Sequence, residues 1–164
     1  MKRALALAAA VAAGACQPSS RGLVLVGGTL IDGSGAPPLR DAVVVIEGDH
    51  IAAVGPQSHV PLPKGLEVVS VSGKFVVPAD APTDPAGIEA LRARVAAGEE
   101  PMAAFLAEVR RRQQERQLGR GGPPRLVQPG APADLLVVDG DPVADFGRLA
   151  RHQHVQGGRF EPEP

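Results

Sequence analysis

His152-Gln153-His154 is a literal His-x-His. On a strand, alternate residues project to the same face, which is how such a pair comes to serve a metal ion. Catalytic zinc usually keeps three protein ligands, and no carboxylate or further histidine stands at a supporting spacing; His50 falls at a hairpin turn and His59 in a Pro-rich loop. The sequence therefore offers His152 and His154 only as weak metal candidates, with a surface pair as the commoner explanation. Asp80 and Asp84, in "PADAPTDP", are the carboxylates that stand out. Asp beside Pro is ordinarily a turn or cap residue. "GGTLIDGSG" is rich in glycine yet lacks the strand-then-helix context of a phosphate cradle. No Ser-His-Asp order and no Cys-His pair accompanies it.

The elements that must position these residues divide by period. From Leu23, short β-branched runs broken by Gly and Asp read as sheet, and Gly48-Asp49 marks a tight turn between Val43–Glu47 and Ile51–Val54. "LEVVSVSGKFVVP" continues the sheet until Pro78, which has no N–H to donate. The spacing then changes to that of helices. Asp84 caps the first, Pro85 opens it, Ile88, Leu91 and Val95 share a face, and Gly98 stops it. The second starts near Pro101 with Met102, Phe105, Leu106 and Val109 on one stripe. Its run Arg110, Arg111, Arg112 and Arg116 reads as a solvated face, with anionic lipid as the other reading. Leu126–Gln128, Asp134–Asp139 and "HVQGGRF" return to strand. The expected fold class is mainly β with a helical insertion: a small discontinuous β-sandwich plus an αα-hairpin.

Composition sets limits. The 164 residues carry 17 basic and 18 acidic side chains, so overall charge gives no case for a nucleic-acid partner. Four Phe and no Trp or Tyr leave the core to aliphatic residues and exclude aromatic stacking platforms. Lys2, Arg3, the apolar stretch Ala4–Ala13 and Ala13-Gly14-Ala15 form a secretory signal pattern, too short to span a bilayer. "AAGAC", ending at Cys16, resembles the lipobox of bacterial lipoproteins, though Ala13 stands where Leu is usual. Lipidation of Cys16 and simple cleavage after Ala15 are both open. The only cysteine cannot form an internal disulfide. The resemblance implies an exported, periplasmic protein held to the membrane through Cys16, and Gln17 after it implies the outer membrane.

"LVLVGGTLIDGSG", "DAVVVIEGDHIAAVG" and "GKFVVP" resemble the N-terminal half of the β-sandwich in the amidohydrolase superfamily, of the imidazolonepropionase- and dihydroorotase-like kind. "PGAPADLLVVDGDPVADFGRL" resembles its C-terminal half. In that family the two halves flank a metal-dependent (β/α)8 barrel of about 250 residues, and the strand matching "GKFVVP" leads into a His-x-His segment that holds the metal. Here only residues 79–125 intervene. "ADAPTDP" resembles the segment of the last barrel strand, which would make Asp80 a relic of the family's acid/base. The family's zinc or other divalent metal lowers the pKa of bound water from about 15.7 to about 7. Without those ligands no cofactor is expected in this chain.

The resulting organisation is a signal peptide over 1–15, a linker over 16–22, sandwich halves over 23–78 and 126–160, a helical insert over 79–125 and a tail over 161–164. Three functions remain: a degenerate amidohydrolase remnant without catalysis of its own, a lipid-anchored module that binds a protein partner, or an enzyme completed by a separate barrel chain.

Overall fold

In a computed structural model, residues 22–120 and 125–161 are described; Cys16 and the signal pattern lie outside the described residues. Among the described residues the chain is mainly β, with eight strands in one mixed sheet and two α-helices. Strands β1 (Gly22–Leu30), β2 (Leu39–Glu47) and β3 (His50–Pro56) run antiparallel in succession. Glu47 pairs with His50 across the two-residue turn, where Gly48 takes a φ of +62° that a side chain would resist.

β1 changes partner halfway along. Its first part, Leu23–Val26, lies parallel to β4 (Glu67–Ser70), whereas Thr29 and Leu30 pair with Phe75 and Val76 of β5 (Lys74–Pro78). The change falls at Gly27 and Gly28, where the ladder with β2 is also irregular. Gly27 has a φ of +83°, and a Cβ on Gly28 would sit 2.9 Å from Val71 Cγ2 and 3.1 Å from the Val71 carbonyl oxygen. Only glycine lets the backbones approach this closely, so the corner is written into the Gly-Gly pair.

The two strand groups meet where β5 pairs antiparallel with β6 (Asp134–Asp139), from Lys74 opposite Asp139 to Pro78 opposite Leu135. β7 (His152–Gln156) and the short β8 (Arg159–Phe160) follow. Alternation along β6 then feeds two layers. Leu135 and Val137 pack with Leu23, Leu25, Val44, Ile46, Val76 and Val155, so the strands before and after the helices face one another across an aliphatic interior. Leu136 and Val138 point the other way, into a layer formed by Ile88, Leu91, Phe105, Val109 and Leu149. The far edge is tied down as well: Ile51 N–H donates to Ala131 O at 2.9 Å, Gly130 N–H to Ile51 O at 2.8 Å and Ala133 N–H to Asp49 O at 2.8 Å.

Helix α1 (Pro85–Ala96) is capped by Asp84, whose side chain accepts from Gly87 N–H at 2.9 Å, and Gly98 follows its end with a φ of +94°. Helix α2 (Pro101–Arg120) buries Phe105 and Val109 against the sheet. Two expectations change. Leu126–Gln128 is a loop rather than a strand: Val127 is buried, but its N–H donates to Asp32 O at 3.0 Å instead of joining a ladder. The arginines of α2 are not simply solvated either. Arg112 pairs with Asp84 and Glu108, Arg111 with Glu108 and Glu115, and Arg116 with Asp80. The run is a set of fasteners between α2, α1 and the sheet end.

Candidate functional site

Of the residues that the sequence singled out, Asp80 and His154 come to the end of the sheet where β5 leaves and β6 enters, whereas His152 lies opposite Val138, toward the other end of β6. Pro78 closes β5, and Ala81 N–H returns to its carbonyl at 3.0 Å, so Asp80 sits at a turn. Its carboxylate is 8% exposed and faces α2, where Arg116 Nε donates to Oδ1 at 3.0 Å and Nη2 to Oδ2 at 2.9 Å. One guanidinium thus engages both oxygens, the bidentate geometry that gives such pairs their strength and directionality. This arrangement clamps α2 to the β5 end.

Asp134, at the start of β6, is the second buried carboxylate. Its side chain is 4% exposed, pairs with Arg125, and lies 2.6 Å through Oδ1 from His154 Nε2. The other ring nitrogen of His154, Nδ1, is 2.9 Å from Glu161 Oε2. Both nitrogens are therefore committed to carboxylates. His152 stands opposite Val138 and His154 opposite Leu136, so the two histidines share the helix-covered face of β7 as alternate residues should. Yet His152 Nδ1 is 3.0 Å from the Leu149 carbonyl, which anchors that ring to the preceding turn.

Arg116, Arg125 and Asp134 line a hollow of about 270 Å³ together with Asp49 and Gly157. What this arrangement offers is charge fastening. The His152/His154 pair does not fit a divalent metal, because His154 has no nitrogen left and, among the described residues, no group of three or more His, Cys, Asp and Glu side chains could hold one ion. Asp84, the other carboxylate considered, is a cap and ion-pair residue. Its pKa lies below the usual carboxylate value, chiefly because Gly87 N–H donates to it and next because Arg112 does.

Asp134, Arg125, Glu161 and Glu108 escaped the sequence reading. Glu108, with 3% of its side chain exposed, is held below the ordinary glutamate pKa first by Arg111 and then by Arg112. A signal for Glu108 was present: it adjoins the apolar stripe at Val109, and arginines stand three and four residues on. For Arg125 and Asp134 there was none, since their contact depends on where the loop lands.

No family model matches the chain, and no curated protein matches it. Solved structures share parts of it. One of molinate hydrolase is 32% identical over 37% of this chain and 13% of its own, with a TM-score of 0.34. Phenylurea hydrolase B is 27% identical over 51% of this chain and 20% of its own, with a TM-score of 0.33. A D-aminoacylase variant in complex with copper chloride is 44% identical over 34% of this chain and 11% of its own, with a TM-score of 0.28. The similar structures include amidohydrolase-superfamily enzymes, among them a hydantoinase and this aminoacylase. Each is matched over a small part of its length, and the chain spans only 13% of the molinate hydrolase chain.

Proposed function

We propose that the chain is a small amidohydrolase-type sandwich module, exported and held to the bacterial outer membrane through Cys16, with no hydrolysis of its own. The observation that carries this reading is the direct pairing of β5 with β6, Lys74 opposite Asp139 through Pro78 opposite Leu135. In the family that the motifs resemble, the strand matching β5 leads away into a barrel. Here its neighbour is the first strand of the returning half, and α1 and α2 cover the outer face of that pair.

The chemistry agrees with this reading. The Asp80 carboxylate is clasped by Arg116, and His154 is spent on Asp134 and Glu161. A positioned general base alone contributes about 10² to 10⁴ in rate, far short of what amide hydrolysis requires of an enzyme. The test is to assay the purified full chain with and without Zn²⁺ against amide, lactam and ester substrates. Turnover at background level in both is expected. Metal-dependent turnover that disappears in Asp80→Asn would overturn the reading, and turnover that appears only with an added barrel chain would replace it with a split enzyme. Anchoring is tested separately: the wild-type chain should partition with membranes and Cys16→Ser should release it, since stable attachment needs more than one acyl chain or signal.

A further inference from the structure

At the opposite end of β6 from Asp134 the charge balance reverses. Lys74 Nζ lies 2.6 Å from Asp139 Oδ1 across the β5–β6 pair. The chain then turns at Gly140 (φ +75°) and passes through a short 3₁₀ turn, Phe146–Ala150, into β7. Arg148 in that turn donates through Nη1 to the Asp139 carbonyl at 3.0 Å. Its guanidinium lies over Gly140, so closely that a Cβ there would stand 2.7 Å from Nη1. The positive φ favours glycine at this turn, and its lack of a side chain leaves room for the arginine head.

Two adjoining hollows, of about 400 and 220 Å³, share Asp139 and Arg151. Lys74, Val137 and Ala150 also line the larger, and Arg148 lines the smaller. Three cations thus surround one carboxylate. The Asp139 pKa is held below the usual carboxylate value, chiefly by the hydrogen bond from Lys74 and further by the charges of Arg148 and Arg151. Asp145 lies 3.7 Å from Arg148 Nε and offsets part of that residue's charge. The balance left over is positive, beside Ala150, in a space within the usual range for small-molecule sites.

We infer that this hollow binds a small organic anion, its carboxylate or phosphate-ester oxygens meeting Arg151 and Arg148 and its apolar body lying against the exposed Ala150. Planar guanidinium heads suit such oxygens because they donate two parallel hydrogen bonds. The site is at the opposite end of the β5–β6 pair from the Asp80 and Asp134 clamps, and it stands whether or not the chain hydrolyses anything.

Titration of the isotope-labelled full chain by NMR, at fixed ionic strength with chloride as the baseline, tests this with inorganic phosphate, acetate and phenyl phosphate as probes. Saturable shifts confined to the residues around the hollow, among them Lys74, Asp139, Arg148, Ala150 and Arg151, are expected, with phenyl phosphate binding more tightly than inorganic phosphate. Arg151→Gln should weaken binding about tenfold, the loss expected for one charged hydrogen-bonded contact, while Arg159→Gln on β8 should leave it unchanged. A well-dispersed spectrum of each variant shows that it is folded. Shifts that never saturate, or an Arg151→Gln variant that binds as wild type, would overturn the site. Equal affinity for inorganic phosphate and phenyl phosphate would overturn its assignment to an organic ligand.

Discussion

The two apolar layers on either side of β6 are bound by different forces. On one side Leu135 and Val137 meet Leu23, Leu25, Val44 and Ile46, all no more than 3% exposed, in an interior made of aliphatic side chains. On the other, Leu136 and Val138 meet α1 and α2, and that contact is rimmed by Asp80–Arg116, Asp84–Arg112 and the pairs of Glu108. Aliphatic burial has no charge for salt to screen or acid to titrate, whereas ion pairs depend on both. The sandwich is thus the durable part, and the helical hairpin is attached to it by contacts that solution conditions can loosen.

The largest effect should come from the durable layer. Leu135→Ala is expected to cost about 3 kcal/mol, within the range for truncating a buried leucine, and to lower the stability of every strand together. Native-state hydrogen exchange checks this: loss of protection confined to β6 and β7 would show that the two halves of the sandwich are not one cooperative unit. Breaking the clamp should be milder and local. Asp80→Ala removes the bidentate contact with Arg116 and is expected to cost about 2 kcal/mol, with α2 amides exchanging faster while β1 and β2 amides keep their protection. Equal losses in both would erase the contrast between the layers. A double-mutant cycle with Arg116→Ala separates the pair from its surroundings.

Acid sharpens the comparison further. Asp84 and Glu108 both have lowered pKa values in the folded chain, Asp84 chiefly through Gly87 N–H and Glu108 chiefly through Arg111. Groups of this kind add stability that is fully present above their unfolded values, about 4, and is lost as pH falls through the lower folded values. The hairpin should therefore loosen below about pH 4 before the sandwich does, as seen by exchange or by circular dichroism at the helix band. Asp84→Ala, which removes a helix cap, should cost about 1 kcal/mol and flatten part of that acid response. The smallest effect expected is from Glu115→Ala. Its side chain is more than half exposed, so a few tenths of a kcal/mol is the scale for its pair with Arg111, and denaturation in 1 M salt should shrink the difference.

Much of the architecture could be read in the sequence because its signals are local. Gly48-Asp49 announced the β2–β3 hairpin, and Asp84, Pro85 and Gly98 bracketed α1. Met102, Phe105, Leu106 and Val109 marked the buried stripe of α2. What was hidden depends on distance along the chain. Asp80 meets Arg116, and Asp134 meets Arg125 and His154, only after the sheet has assembled. The loop at Leu126–Gln128 looked like a strand because Leu and Val satisfy the β pattern, yet the long-range hydrogen bond from Val127 N–H to the Asp32 carbonyl decides otherwise. The 3₁₀ turn at Phe146–Ala150 was overlooked because a single turn is too short to show a period. The histidine pair was visible, but the two carboxylates that occupy His154 come from the neighbouring strand and from beyond β8.

The pairing of β5 with β6 also has a kinetic side. Its residues are separated by the whole stretch from Pro78 to Asp134, and such non-local pairings slow folding because the chain between them must be gathered first. The intervening segment is largely helical, and helices form within about a microsecond, well before sheets assemble. Once α1 and α2 dock, the ends of that segment are already close, and the search by β6 for its partner is correspondingly shorter. Substitutions that disfavour the hairpin, such as Gly at Ala93 or Ala103, should then slow refolding of the sandwich as well as loosen the helices. The ions that fasten the hairpin would, by this route, help set the rate at which the aliphatic interior forms.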